Sequence, residues 1–180
     1  GSQKIGMGAE LLSKYPEQLG IFAEKMDISL SELCLHGTAE KLNQTQFTQP
    51  ALFTIEVLSY LDKVSDGVTP DCVVGHSLGE YAALFAAGAF DFATGLDLVI
   101  KRGELMSQQN GGAMAAVIGL SKADVELALQ EFNCKAVDIA NINAPEQIVI
   151  SGSRQDIDTA KKLLSDIALM VVPLPVSAAF

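Results

Sequence analysis

The sequence is poor in positive charge. Its 180 residues contain 12 lysines and arginines against 22 aspartates and glutamates, which gives a formal net charge of −10 at pH 7. Proteins that bind nucleic acid use clustered Lys and Arg side chains to neutralise phosphates and release counterions. The composition therefore argues against a nucleic-acid partner, although a single arginine in a pocket can still bind a small anion.

Cysteine is scarce as well. The three cysteines, Cys34, Cys72 and Cys134, lack the spacing of a metal site, and one would remain unpaired if two formed a disulfide. We therefore expect reduced thiols, no bound metal and a cytoplasmic location.

Long hydrophobic runs are missing too. Gly, Pro or charge interrupts each apolar stretch before the roughly 20 residues that a membrane-spanning helix requires, and no signal peptide is recognisable. Hydrophobic residues still make up 49% of the sequence and charged residues 19%, which is typical of a folded globular protein. We expect no membrane partner.

The first part of the sequence predicts several helices and one strand. A short apolar run over 70–74 precedes a glycine-bounded turn, and an Ala- and Leu-rich stretch over 80–89 follows it, which predicts strand, sharp turn and helix. Two further helices are predicted, one over 51–61 with Pro50 in its first turn and one over 91–106 that begins near Asp91 or Thr94.

The pattern changes after Gly111-Gly112. Strands are predicted over 114–120, 137–141, 147–151 and 168–176, with helices over 121–132 and 153–165. Ser121 is the expected cap of the first of these helices, with Asp124 three residues later. The order β-α-β-β-α-β is that of a ferredoxin-like unit, so we divide the chain into domains 1–112 and 113–180.

The turn Gly75-His76-Ser77-Leu78-Gly79 fits the pattern G-x-S-x-G. In a nucleophile elbow of this kind, the serine sits on a strained strand-to-helix turn and projects into a cleft. The backbone N–H of Leu78 and the start of the following helix would then stabilise an oxyanion. Ser77 is thus a candidate nucleophile for acyl transfer, and the alternative is an ordinary glycine-bounded turn with an exposed serine.

Neither histidine is a convincing general base. His76 is next to Ser77, but consecutive side chains in an elbow point in different directions, so we expect a packed supporting histidine. His36 lies near a predicted helix end, where a capping or surface role is expected.

The motif 75–80 together with Lys101-Arg102-Gly103-Glu104-Leu105-Met106 resembles the malonyl-CoA:acyl carrier protein transacylase family and the acyltransferases of polyketide synthases. The resemblance extends over essentially the whole chain. Further matching segments are 1–8, the sequence Thr48-Gln49-Pro50-Ala51 upstream of the elbow, 113–117, and 143–152.

The resemblance implies a fold, a substrate and a set of site residues. The fold would be α/β, with an incomplete α/β-hydrolase-like parallel-sheet domain and an inserted ferredoxin-like subdomain. Ser77 would carry the acyl group, Leu78 would bind the oxyanion, and Arg102, Gln49 and His76 would bind substrate. Arg102 would hold the free carboxylate of malonyl-CoA, since a guanidinium offers a planar fork to a carboxylate. The alternative is a solvated helix arginine that pairs with Glu104 or Asp97.

The same resemblance implies that an acyl carrier protein receives the acyl group on its phosphopantetheine thiol, and that the enzyme needs no cofactor of its own. It places the catalytic histidine directly after Phe180 and an oxyanion glutamine before Gly1, so we expect the sequence to be part of a longer acyltransferase. Phe180 occupies a position associated with malonyl rather than methylmalonyl units.

Two other functions remain open at this point. One is an acyl hydrolase or thioesterase of the same fold, and the other is a non-catalytic interaction domain. The segment 43–50 looks most like freestanding enzymes of polyketide synthesis, and fatty-acid synthesis also remains open. The oligomeric state is not predicted.

Overall fold

The computed structural model describes residues 2–176 and 178–180. The chain divides into two compact units, Gly1–Gln108 and Gln109–Phe180, and each has a hydrophobic core of its own. In the described residues, no helix is both long enough and apolar enough to cross a membrane.

The first unit is built from helices wherever the described residues form regular structure. Helix α3 packs against both α4 and α5. The ring of Phe53 on α3 stacks on that of Phe92 on α5 at a centroid distance of 5.8 Å. The elements are α1 (Pro16–Met26), a π-helical turn (Glu32–His36), α2 (Ala39–Leu42), α3 (Thr45–Ser65), α4 (Gly79–Ala86) and α5 (Phe92–Ser107).

Helix α3 begins earlier than the sequence predicted. Its first helical residue is Thr45, so Pro50 lies inside the helix rather than in its first turn. Backbone bonds from Phe47 N–H and Thr48 N–H to Gln44 O, both 2.8 Å long, close the first turn. The helix therefore starts one turn upstream and tolerates a proline, which removes one backbone donor.

Helix α5 matches its prediction closely. Asp91 is the N-cap, and its side chain accepts a hydrogen bond from Thr94 N–H at 2.8 Å. That bond lowers the pKa of the Asp91 carboxyl, because a donor to the charged form stabilises it. The cap fixes where α5 starts and hence which residues face α3.

The strand predicted over 70–74 is wrong for the described structure. These residues pair with no other segment there, and the side chain of Val74 is 89% exposed. A strand exists only through ladder bonds to a neighbour, and an apolar run alone does not supply that neighbour. The described part of the first unit therefore contains no parallel sheet.

The second unit has the predicted element order. It consists of β1 (Ala113–Ile118), α6 (Lys122–Glu131), β2 (Val137–Ala144), β3 (Gln147–Gly152), α7 (Arg154–Leu164) and β4 (Met170–Pro173). The four strands form an antiparallel sheet in the order β2-β3-β1-β4. Ala115 on β1 lies opposite Ile150 on β3 and Pro173 on β4.

The helices of this unit cover one face of the sheet. Side chains from the sheet and from α6 and α7 form the core, including Val117, Ile148, Val125 and Leu164. Ser121 and Asp124 make the predicted reciprocal cap of α6.

Strand β4 is shorter than predicted, because Pro175 has no N–H and Val176 N–H turns back to Leu174 O at 2.8 Å. Strand β2 instead runs on to Ala144, which leaves a two-residue turn at 145–146. Ser177 and Gly1, which belongs to the matching segment 1–8, lie outside the described residues.

Candidate functional site

Ser77 lies in a sharp turn at the start of α4. Its φ is 54°, a left-handed conformation that is strained for a residue with a side chain. Gly79 N–H donates to His76 O at 3.0 Å, and Glu80 N–H donates to Ser77 O at 3.3 Å. The Ser77 side chain is exposed, so the turn presents its hydroxyl outward.

Gly75 makes this turn possible. A Cβ on Gly75 would lie 2.0 Å from the carbonyl carbon of Gly79, and such an approach never occurs between real atoms. A Cβ on Gly79 would meet nothing within 4 Å. Of the two glycines in the motif, only Gly75 is therefore required by the close approach of backbone to backbone.

The backbone N–H of Leu78 lies next to Ser77 at the start of α4. Leu78 is the N-cap residue of α4, and the first N–H groups of a helix have no acceptor within it. No acceptor for this N–H is found among the residues that the structure describes. Leu78 follows Ser77 directly, and in a nucleophile elbow the residue after the nucleophile supplies a backbone donor of the oxyanion site.

Arg102 reaches Ser77 from α5. Its Nη2 donates to Ser77 Oγ at 3.0 Å, and its Nη1 donates to the side-chain oxygen of Gln49 on α3 at 2.5 Å. The structure thus brings three of the predicted site residues together: Gln49 on α3, Arg102 on α5, and Ser77 in the turn before α4. Because α3, α4 and α5 pack on one another, this helical frame positions the hydroxyl and the guanidinium.

The alternative partners of Arg102 are engaged elsewhere. Asp97 pairs with Lys25 at 2.6 Å, and Glu104 pairs with Lys101 at 3.4 Å. Within the part of the chain that the structure describes, no carboxylate forms an ion pair with Arg102. The structure therefore does not support the reading of Arg102 as a helix arginine paired with Asp97 or Glu104.

Gln49 is buried, with 5% of its surface exposed. Its Nε2 donates to Thr45 Oγ1 at 2.7 Å and contacts Met106 Sδ at 3.2 Å, while its oxygen accepts from Arg102. Beside this amide α5 lies close to α3, since a Cβ at Gly103 would be 3.2 Å from Gln46 Cα, which is a tight contact.

Tyr81 is a site residue that the sequence reasoning missed. The centre of the Arg102 guanidinium lies 6.0 Å from the centroid of the Tyr81 ring, within the range of a cation–π interaction. Tyr81 is four residues after Ser77, one helical turn further along α4, and that spacing was the available signal.

His76 is not the packed histidine that the sequence predicted. The residue is exposed. It lines a cavity of about 570 Å³ together with Glu56, Tyr60 and Cys72, and Ser77 is not among the residues that line this cavity. His36 is exposed at the end of the π-helical turn.

Glu56 was also missed from the sequence. Its Oε2 is buried without a hydrogen-bond partner among the described residues, and burial raises the pKa of its carboxyl. The signal was an acid on a helix face otherwise formed by Leu52 and Ile55.

The described residues contain no group of three or more His, Cys, Asp or Glu side chains that could hold a metal ion. They do bring together the hydroxyl of Ser77 on a strained backbone, the N–H of Leu78 next to it, and the guanidinium of Arg102. That combination is suited to attack on an acyl carbonyl and to recognition of an anionic group on the acyl chain.

Comparison with known proteins identifies the class to which this fold and site belong. The family described as acyl transferase domain matches residues 1–179. The chain therefore belongs to the acyl transferase domain family, which confirms the resemblance seen in the sequence.

Within that family, several of the similar proteins are named malonyl transacylases. The polyketide biosynthesis malonyl CoA-acyl carrier protein transacylase PksC of Bacillus subtilis is 54% identical over 183 residues, a match that covers 100% of this chain and 64% of PksC. The crystal structure of malonyl CoA-acyl carrier protein transacylase from Burkholderia pseudomallei superposes with a TM-score of 0.89 at 43% identity, covering 100% of this chain and 62% of that one.

A third relative was solved with its partner. It is a malonyl-transacylase in complex with a type II polyketide synthase acyl-carrier protein, with a TM-score of 0.88 and 34% identity, covering 99% of this chain and 61% of that chain. The chain described here thus spans somewhat less than two thirds of the length of these three relatives.

Proposed function

We propose that the protein transfers a malonyl group from malonyl-CoA to the thiol of an acyl carrier protein through an ester on Ser77. The observation that carries this proposal is the 3.0 Å contact between Arg102 Nη2 and Ser77 Oγ. A cation that recognises carboxylates lies beside a hydroxyl suited to attack a thioester. The names of the relatives, malonyl transacylases of polyketide synthesis and other malonyl transacylases, support the same substrate and acceptor.

In the first half of the reaction, Ser77 Oγ attacks the thioester carbonyl carbon and loses its proton to a general base. The base would be the histidine that the resemblance places after Phe180. The carbonyl oxygen becomes an oxyanion, which the Leu78 N–H and the start of α4 stabilise. The C–S bond then breaks, the general base gives the proton to the leaving sulfur, and CoA departs as the thiol.

In the second half, the thiol of the carrier's phosphopantetheine arm attacks the malonyl-Ser77 ester. The new C–S bond forms, the bond to Ser77 Oγ breaks, and the serine regains its proton. No step requires a cofactor held by the protein, so we propose that it has none.

Arg102 would select acyl groups that end in a carboxylate. A buried or half-buried guanidinium left unpaired beneath an acetyl or alkyl chain is unfavourable. This selection favours the transferase over the rival acyl hydrolase, since a hydrolase of varied acyl chains gains nothing from a carboxylate clamp. The substrate-binding role of His76 in this proposal rests on the resemblance alone.

The finer description of the fold belongs to the same proposal. The strand order β4-β1-β3-β2 of the second unit, with both helices on one face, supports a ferredoxin-like subdomain over 113–180. The turn at Ser77 supports an α/β-hydrolase-like domain that contains residues 1–112. A cytoplasmic location is consistent with the three free cysteines.

The test uses the full-length protein with labelled malonyl-CoA and a carrier protein in two forms, with and without the phosphopantetheine arm. We expect label on the carrier that has the arm, none on the carrier that lacks it, and none with the Ser77→Ala variant. Release of free malonate without carrier labelling would instead identify a hydrolase. Unchanged transfer by Ser77→Ala would remove Ser77 from its assigned role.

A further inference from the structure

The amide of Gln49 faces Arg102 in one orientation only. Arg102 has no hydrogen-bond acceptor, so the amide oxygen must face it, and the amide nitrogen must face Thr45 Oγ1 and Met106 Sδ. Both amide protons therefore have partners inside the helical frame, at 2.7 Å and 3.2 Å. With 5% of the residue exposed, Gln49 has no N–H left for a substrate.

The contacts that hold Arg102 carry no net charge. They are the amide oxygen of Gln49, the hydroxyl of Ser77 and the ring of Tyr81. The two nearest acids along α5, Asp97 and Glu104, are paired with Lys25 and Lys101. Among the described residues, the guanidinium is thus oriented but not neutralised.

We propose that Gln49 is a positioning residue that sets specificity: it orients Arg102 through a neutral oxygen, so that the carboxylate of the acyl group is the counter-ion of the guanidinium. This inference rests on the proposed function. It differs from the substrate-binding role that the resemblance implies for Gln49, because it places Gln49 behind the arginine rather than against the substrate.

The physical reason lies in the difference between an amide and a carboxylate of the same shape. A glutamate at position 49 would accept the same hydrogen bond from Nη1 and would also form an ion pair with Arg102. The internal carboxylate would then compete with the carboxylate of the substrate. The arginine would remain in place, yet its preference for dicarboxylic acyl groups would fall.

The test is Gln49→Glu in the full-length protein, with steady-state kinetics on malonyl-CoA and acetyl-CoA. We expect KM for malonyl-CoA to rise by about tenfold or more, the scale of one charge-assisted hydrogen bond, while kcat changes much less. The ratio of kcat/KM for malonyl-CoA to that for acetyl-CoA should fall by a similar factor. A merely structural defect would lower kcat/KM for both substrates by the same factor and leave the ratio of the two values unchanged.

Gln44→Glu is the matched control. It introduces the same charge at the N-cap of the same helix, where Gln44 Oε1 accepts from Gln46 Nε2 at 3.1 Å and a glutamate oxygen can accept equally well. We expect its malonyl-to-acetyl ratio to equal that of the unchanged protein. A fall as large as that of Gln49→Glu would show a general charge effect and overturn the inference.

Thr45→Val gives a second variant in case Gln49→Glu does not fold. Valine keeps the shape of threonine but removes the acceptor of Gln49 Nε2, so the amide loses its anchor. We expect KM for malonyl-CoA to rise with little change in kcat. An unchanged KM would show that the amide needs no anchor and would count against the inference.

Arg102→Ala separates the two proposals. If it abolishes the malonyl preference while Gln49→Glu leaves the preference intact, the role of Gln49 is refuted and the proposed function stands. If Arg102→Ala also leaves the preference intact, the carboxylate-binding role of Arg102 fails, and with it the inference about Gln49, while the carrier-labelling test still decides the proposed transfer.

Discussion

The reactivity that we propose for Ser77 and Arg102 depends on the backbone conformation of the serine and on the side chains that contact the arginine. The backbone of Ser77 has a φ of 54°, which lies outside the range of an α-helix. Arg102 contacts the hydroxyl of Ser77, the amide of Gln49 and the ring of Tyr81. Strain of this kind persists only where the surrounding structure over-determines it. At the scale of single residues, the site therefore consists of a serine hydroxyl on a strained backbone and a guanidinium that forms no ion pair with a described carboxylate.

The cysteines give a first prediction at this scale. Cys34 is fully buried, and burial raises the pKa of its thiol to about 11, whereas Cys72 is exposed. Because the thiolate is the reactive form, a thiol reagent at pH 8 should modify Cys72 first and Cys34 only in denaturant. Cys72→Ser should remove the fastest phase of labelling. Modification of Cys34 in the folded protein at the rate of Cys72 would contradict the burial described here.

Glu56 gives a second prediction. Because burial raises the pKa of its carboxyl, the folded state binds this proton more tightly than the unfolded state does, and ionisation opposes folding at neutral pH. Glu56→Gln should therefore raise the Tm at pH 7, and the gain should disappear as the pH falls below about 4, where both states are protonated.

Thermal unfolding at pH 7 and at pH 3 measures this effect. The control is Glu24→Gln on the exposed side of α1, which should change the Tm little at either pH. A lower Tm for Glu56→Gln at pH 7 would show that the carboxylate is stabilised in the fold.

At the scale of elements, the sequence predicted the helix caps and the element order that depend on residues close together in the chain. The cap at Asp91, the reciprocal pair Ser121 and Asp124, and the alternation of strands and helices after residue 112 each depend on neighbours in the sequence, and the structure contains them. The strand over 70–74 failed because pairing requires a distant segment. The predicted start of α3 was wrong because Pro50 is typical of a first helical turn. The residues before it nevertheless form helical hydrogen bonds, from Phe47 N–H and Thr48 N–H to Gln44 O.

The site was predictable to the same extent. The glycine pattern located Ser77, and the resemblance located Arg102 and Gln49. The sequence did not predict three features that depend on how α3, α4 and α5 pack. They are the contact of Arg102 with Tyr81, the buried Oε2 atom of Glu56 and the exposure of His76. Periodicity gives which residues share a face, but it does not give which faces meet.

The two glycines of the elbow give a prediction about α4 as an element. Gly75→Ala places a Cβ 2.0 Å from Gly79 C, so the turn must open and Ser77 must move. We expect an activity loss of about 100-fold or more, the scale of a catalytic group displaced by about 1 Å. Gly79→Ala is the matched control, because its Cβ meets nothing and alanine favours the helix. Equal losses in transacylase assays of the two variants would contradict this account of the turn.

At the scale of the whole molecule, the chain consists of two units with separate cores. The chemistry assembled in the described residues, from Gln49 to Arg102, lies entirely in the first unit. The second unit contains an antiparallel sheet whose helices cover one face. A change in one core should therefore be felt mainly within its own unit.

Ile148→Ala tests this separation. Ile148 is fully buried in the second core, and the cavity should lower stability by about 2 to 5 kcal/mol. Hydrogen exchange measured by mass spectrometry should accelerate in β1, β3 and α7, while α3 and α5 keep their protection. Leu58→Ala in the first core should give the reverse pattern. Equal acceleration in both units for either variant would show one cooperative core.

The central claim, that Ser77 and Arg102 act on one acyl group, is tested most directly by competition. The full-length protein and its Arg102→Ala variant are each mixed with equal concentrations of malonyl-CoA and acetyl-CoA, and the acyl group on each intact protein is identified and located by mass spectrometry. The account predicts a malonyl ester on Ser77 in the unchanged protein and loss of the malonyl preference in the variant. An ester on another residue, or the same malonyl preference in both proteins, would contradict it.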